Sequence, residues 1–232
     1  MDLSSNIALV NRFGQIGLAY FTSKEILIKS HSTWNQNKDA RITVFNKCAN
    51  VCSSARLGMD FIMLDLTDDN WWQSKATQKI PSELIQHSIR EFDIFLKISF
   101  FYVFFSAIES SFRAIVQALD PSACKGGKDN FMNLYMWLLA RLHLQKWKYL
   151  LDLLRCIRNT IHTNSIYSPT ASDKNETIEY KGISYSFVVS HKIGFTWHQI
   201  LEFVSDVNTM LLEIVECPEV VSLPSANDPF AL

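Results

Sequence analysis

Residues 150–164 read LLDLLRCIRNTIHTN, an apolar helix face that ends in Arg155, Arg158, Asn159, His162 and Asn164. At about 100° per residue, positions 155, 158, 159 and 162 fall on one stripe of a helix. A guanidinium matches phosphate oxygens in shape and charge, and an imidazole takes or gives a proton near neutral pH. With the Asn159 amide beside them, Arg158 and His162 could bind a phosphodiester, draw a proton from a ribose hydroxyl and stabilise a pentacoordinate phosphorus. That route uses no metal and no cofactor.

The neighbouring sequence is basic as well. Between positions 141 and 162 stand Arg141, Lys146, Lys148, Arg155 and Arg158, against Asp152 alone. Such a run is a local footprint for an anion such as RNA or a nucleotide. Arg158, Asn159 and His162 are therefore the candidate catalytic set, with Arg155, Asn164 and Lys148 as candidate substrate ligands. A structural reading competes: cations near a helix C-terminus complement its dipole and bond its last carbonyls.

Composition narrows the setting. A formal net charge of −1 over 232 residues gives no global attraction for nucleic acid, so binding must rest on a local patch. Hydrophobic residues make up 48% of the chain, with 7 Gly and 6 Pro, which fits a packed helical protein and argues against disorder. The 5 cysteines are an odd number in a chain with ample core, so no disulfide framework is expected. Cys48 and Cys52 lack a second Cys/His pair at zinc-like spacing and read as buried thiols. The start, MDLSSNIALVNRF, has no basic residue before its apolar ones, as a signal peptide would. The most apolar run, 98–108, is about half of the roughly twenty residues a membrane span needs. A cytoplasmic protein with no membrane segment is expected.

The elements that must position the stripe follow from periodicity and punctuation. Apolar clusters within 4–29 suggest a helix weakened by Gly14 and Gly17. Ile42, Phe45, Ala49, Cys52, Met59 and Ile62 give 40–66 one buried helix face. The polar stretch 67–80, interrupted by Trp71 and Trp72, reads as a boundary, with the two indoles packing the linker onto the body. After Pro81, in a first helical turn, a central helix runs to about 119, carrying Glu109 and Arg113 as an i,i+4 pair that fixes register. A Gly-containing turn over 120–129 precedes helices at 130–144 and 145–163, separate or joined as one bent helix. Residues 177–196 alternate apolar and polar side chains around Lys181-Gly182, predicting a hairpin or three-stranded insert. Thr196 and Gln199 form a capping box that opens a last helix, which Pro218 ends. The expected organisation is a helical N-terminal subdomain or extension over 1–75, a helical bundle over 80–217 and a loose tail over 218–232.

The segment RCIRNTIHTNSIY at a helix end, the Glu109-x-x-x-Arg113 element on a preceding apolar helix and the later β insert together resemble the HEPN superfamily. That resemblance covers roughly residues 81–217 and implies a mainly α, up-and-down bundle with a small antiparallel β-hairpin before the last helix. It also implies a homodimer and, in many members, a metal-independent endoribonuclease of toxin–antitoxin or phage-defence systems, with an antitoxin protein as a possible partner. The family motif is Arg, a polar residue, then His after four to six intervening positions. Here Arg158-Asn159 stands three residues short of His162, while Arg155 is separated from it by six. Tyr167 is the nearest tyrosine after His162; the place two residues after the histidine is Asn164. A non-catalytic HEPN-like module binding RNA, a nucleotide or a protein is the alternative.

Overall fold

The computed structural model describes residues 3–123, 130–162, 166–168 and 174–229; of residues 3–6 and His162 it describes the backbone alone. Among these residues the chain is mainly α-helical, with one small antiparallel sheet.

Helix α1 (Leu3–Ser30) runs unbroken through both glycines. Gly17 is a packing position, since a Cβ placed there would lie 3.3 Å from the Cys52 Cβ of α2 (Ala40–Phe61). The lost helix propensity is thus offset by close helix approach. Leu9, Val10, Phe13, Ile16, Tyr20 and Leu27 form the buried face of α1. Asp39 caps α2 by accepting from the Arg41 N–H. A turn of π-helix over Ile62–Leu66 and the short helix α3 (Asp69–Ser74) lead out of α2. Trp71 and Trp72 meet edge to face at 5.1 Å, and the Trp72 indole N–H donates to the Leu66 carbonyl at 2.8 Å. The pair therefore pins this connection to the body, as its sequence suggested.

Helix α4 (Ser82–Leu119) spans 38 residues, roughly 57 Å. Pro81 sits just before it, in the extended N-cap position rather than inside the first turn. Packed against α4 are α2, α5 (Phe131–Arg141), α6 (Lys148–His162) and α8 (Pro218–Val221), while α1 also lies on α7 (Trp197–Val215). The Phe13 ring meets Phe100 of α4 at 5.6 Å and Trp197 of α7 at 5.1 Å. Tyr20 donates to the Val204 carbonyl at 2.7 Å. The first two helices therefore share one core with the rest, and the stretch 67–80 changes the chain's direction without dividing that core.

Between α5 and α6 the chain breaks: His143 has a φ of 56° and Gln145–Trp147 forms one 3-10 turn. The hairpin pairs β1 (Glu176–Tyr180) with β2 (Ile183–Phe187) in the register Tyr180↔Ile183, across Lys181 and Gly182 at φ 51° and 77°. It has two strands; Lys192 contributes a single bridge, to Ile166. Ile178, Tyr185 and Phe187 turn inward, and Tyr185 and Phe195 pack against Phe203 of α7. The capping box forms as expected, with Thr196 and Gln199 exchanging side-chain and backbone bonds at the start of α7.

The expected loose tail is a correction. Pro218 opens α8 instead of merely stopping α7, and Val220 and Ala226 are fully buried. The Ala40 N–H donates to the Ala226 carbonyl at 2.7 Å, and the Arg41 guanidinium donates to the carbonyls of Val220 at 2.8 Å and Leu223 at 3.0 Å. Asp228 accepts from Thr43 and Lys47 of α2, each at 2.6 Å, and from Ser110 of α4 at 3.1 Å. The polar composition of this stretch serves buried pairing with residues distant in the sequence.

Candidate functional site

Helix α6 has an apolar face of Leu150, Leu151, Leu153, Leu154 and Ile157, all buried. That burial against α4, α5 and α7 fixes where the polar stripe points. Arg158 and Asn159 lie half-buried near the helix end, and the Arg158 Nη1 donates to the Asn159 Oδ1 at 3.4 Å. The Arg158 guanidinium stands over the Phe105 ring of α4, 5.9 Å from its centroid. His162 closes α6, but its side chain lies outside the described residues, as does all of Asn164.

The other candidate ligands are engaged within the fold. Arg155 forms a two-pronged pair with Glu176 of β1, one prong Nη1 to Oε1 at 3.2 Å and the other Nη2 to Oε2. Tyr167 donates to the same carboxylate, and the Cys156 thiol lies 3.6 Å from it. Burial works to raise the Glu176 carboxyl, but hydrogen bonds from Arg155 and Tyr167 outweigh it and hold that group below the ordinary range. Burial pushes the Cys156 thiol up to about 12, which removes it from nucleophilic chemistry at neutral pH. One turn earlier, Asp152 accepts from Tyr135 of α5 and from Lys148 at 2.5 Å. Burial and the Asp152 carboxylate together raise the Tyr135 phenol. Lys148 and Arg155 thus join α5, α6, Tyr167 and β1 in one polar seam. The Arg155 Nε is buried there without a hydrogen-bond partner among the described residues.

The basic run dissolves in the same way. Arg141 pairs with Glu219 at 2.7 Å and Lys146 with Glu213 at 2.8 Å, while Lys148 and Arg155 pair with Asp152 and Glu176. Among the described residues, no carboxylate pairs with Arg158. A count of charges along the sequence saw Asp152 alone, because Glu176, Glu213 and Glu219 come from β1, α7 and α8. The stripe is therefore not a continuous cationic track.

Glu109 and Arg113 are bonded to each other at 2.6 Å. They stand on the face of α4 that looks toward α2, beside a groove of about 910 Å³ walled by small and apolar side chains such as Val51, Ala55, Val103 and Ala107. Among the described residues, none of α6 lines that groove. A second cavity, about 540 Å³, lies between α4, the end of α6 and residues 192–195. Sequence reasoning missed Glu176 and Asp152 as partners of the stripe. Neither stands in a motif; the one local signal was the i,i+4 spacing of Lys148 and Asp152. Among the described residues, no group of three or more His, Cys, Asp or Glu side chains is placed to hold a metal ion, and no helix is long and apolar enough to cross a membrane.

Compared with protein-family models, curated proteins and solved structures, the chain matches none of them.

Proposed function

We propose that this chain is a metal-independent, HEPN-like endoribonuclease acting as a cytoplasmic homodimer in a toxin–antitoxin or phage-defence setting, where an antitoxin protein would restrain it. One observation carries the reading: Arg158, with no carboxylate partner among the described residues, stands beside Asn159 one helical turn before His162. In the proposed reaction His162 takes the proton of a ribose 2′-hydroxyl, whose oxygen attacks the adjacent phosphorus as the P–O5′ bond breaks, leaving a 2′,3′-cyclic phosphate and a 5′-hydroxyl that takes its proton from water. Arg158 stabilises the phosphorane charge and Asn159 orients the substrate. The end of α6 from each of two copies would face the other across one RNA cleft.

Cleavage of single-stranded RNA in EDTA tests this, using the wild type, His162→Ala and Arg158→Ala. The expected loss is about 100-fold or more in each variant, in line with removal of a general base or of an oxyanion-stabilising group. Equal cleavage by wild type and His162→Ala, or none by any of them over varied RNAs, sinks the proposal.

A second reading, a non-catalytic HEPN-like binding module, draws on the internal pairing of four of the five cations between positions 141 and 162. Under either reading few phosphates are neutralised. The slope of log affinity for single-stranded RNA against log salt should therefore lie nearer −1 than the roughly −3.5 of a five-phosphate track. A steep slope would show that the internal pairs open on binding.

A further inference from the structure

The cavity of about 540 Å³ beside the end of α6 falls within the size range of small-ligand sites. Its walls are Ile98 and Phe101 of α4, Ile157 and Ile161 of α6, and Ile193 and Phe195 of the segment entering α7. It is an open recess and not a gap in the core, because Ile161, Ile193 and Phe195 are half-buried and Gly194 is exposed. At Gly194 an added Cβ would meet no atom within 4 Å, leaving room for a ligand against the backbone.

The charges around the recess are unequal. Lys97 on its α4 side is engaged with Asp93 at 3.4 Å and lies over the Trp197 ring. Lys192 on the opposite lip is exposed, and no carboxylate pairs with it among the described residues. Arg158 of α6 is not among the residues that line the recess. It packs over Phe105, one turn of α4 from the wall residue Phe101. An apolar slot with aromatic edges and, on its lip, a cation that no carboxylate among the described residues neutralises is complementary to a flat heteroaromatic ring carrying a phosphate.

We propose that this recess binds the base of a ribonucleotide, with its phosphate held by Lys192. The proposal deepens the ribonuclease reading and rests on it for the identity of the ligand. It gives the site a means of holding one nucleotide of the substrate by shape and stacking, beside the phosphate to be cleaved.

Equilibrium binding to the full chain, by calorimetry or NMR titration, tests it with AMP, UMP, adenosine and ribose 5-phosphate as probes. The nucleoside monophosphates should bind at least tenfold more tightly than ribose 5-phosphate. Lys192→Ala should weaken AMP at least threefold and leave adenosine unchanged. Ile161→Trp should fill the recess and lower AMP binding at least tenfold. Because Ile161 is half-buried, Gly194→Leu serves as a second blocking variant at a position with open space. Failure of both monophosphates to bind the wild type, or binding that survives both blocking variants, overturns the recess whatever RNA cleavage shows. Blocked AMP binding in a chain that cleaves no RNA upholds the recess and removes the ribonuclease reading.

Discussion

Glu176 sits where three donors converge, the Arg155 guanidinium, the Tyr167 hydroxyl and the Cys156 thiol. Its carboxyl is held below the ordinary range when folded, so the unfolded chain binds the proton at higher pH than the folded one. The stabilisation is present above the unfolded value of about 4.3 and fades as pH falls through the lower folded value. Glu176→Gln should therefore flatten the loss of stability below about pH 4.3 in urea melts, while lowering stability at pH 7 by about 1–3 kcal/mol, discounted for partial exposure. An acid limb as steep as that of the wild type would show that other carboxylates govern it. Little of this was legible beforehand. Arg155 was visible as a cation, but its partner lies 21 positions away, in a stretch whose polarity suggests only a loop. Arg158 and Asn159 could be placed beside each other from helical periodicity alone.

At the scale of elements, local chemistry set what could be read. Asp39, Asn130 and Thr196 cap the helices that follow them, and each bond closes within a few residues, so a linear scan finds such starts. Thr196→Ala should remove the hydroxyl half of the capping box at α7, leaving the backbone N–H of position 196 to donate to Gln199, and lower the unfolding free energy by about 1 kcal/mol; an unchanged denaturation midpoint would count against a stabilising role for the hydroxyl. The hairpin was legible from alternation and Lys181-Gly182, as was its position before α7. Its job was not. Through Glu176 it closes over α6, so the strand insert clamps the polar seam that Lys148 and Arg155 belong to. The break between α5 and α6 was open in the sequence because His143 takes a left-handed backbone without a glycine to announce it.

At the scale of the molecule, the decisive contacts join residues nearly the full chain apart. Arg41 is fully buried, stacked 3.9 Å from the Trp34 ring centroid and paired with Asp39 at 2.6 Å. Asp39→Ala would leave that guanidinium without its carboxylate and is expected to cost about 3–5 kcal/mol, read as a shift in the chemical denaturation midpoint. A change under about 1 kcal/mol would mean that the carbonyls of Val220 and Leu223 suffice. No local pattern could announce these pairings, since the Asp228 carboxylate and its partner Lys47 stand 181 positions apart. They carry a consequence for synthesis. A growing chain can wind α1 and α2 early, but Arg41 must wait for a carbonyl 179 positions downstream before its charge is fully satisfied. Until residues 217–228 leave the ribosome, the α1–α2 pair keeps unmet polar groups and an uncovered edge of the core. Nascent chains stalled short of that point should be protease-sensitive and dependent on chaperones, and the last step of folding should be the closing of this long loop.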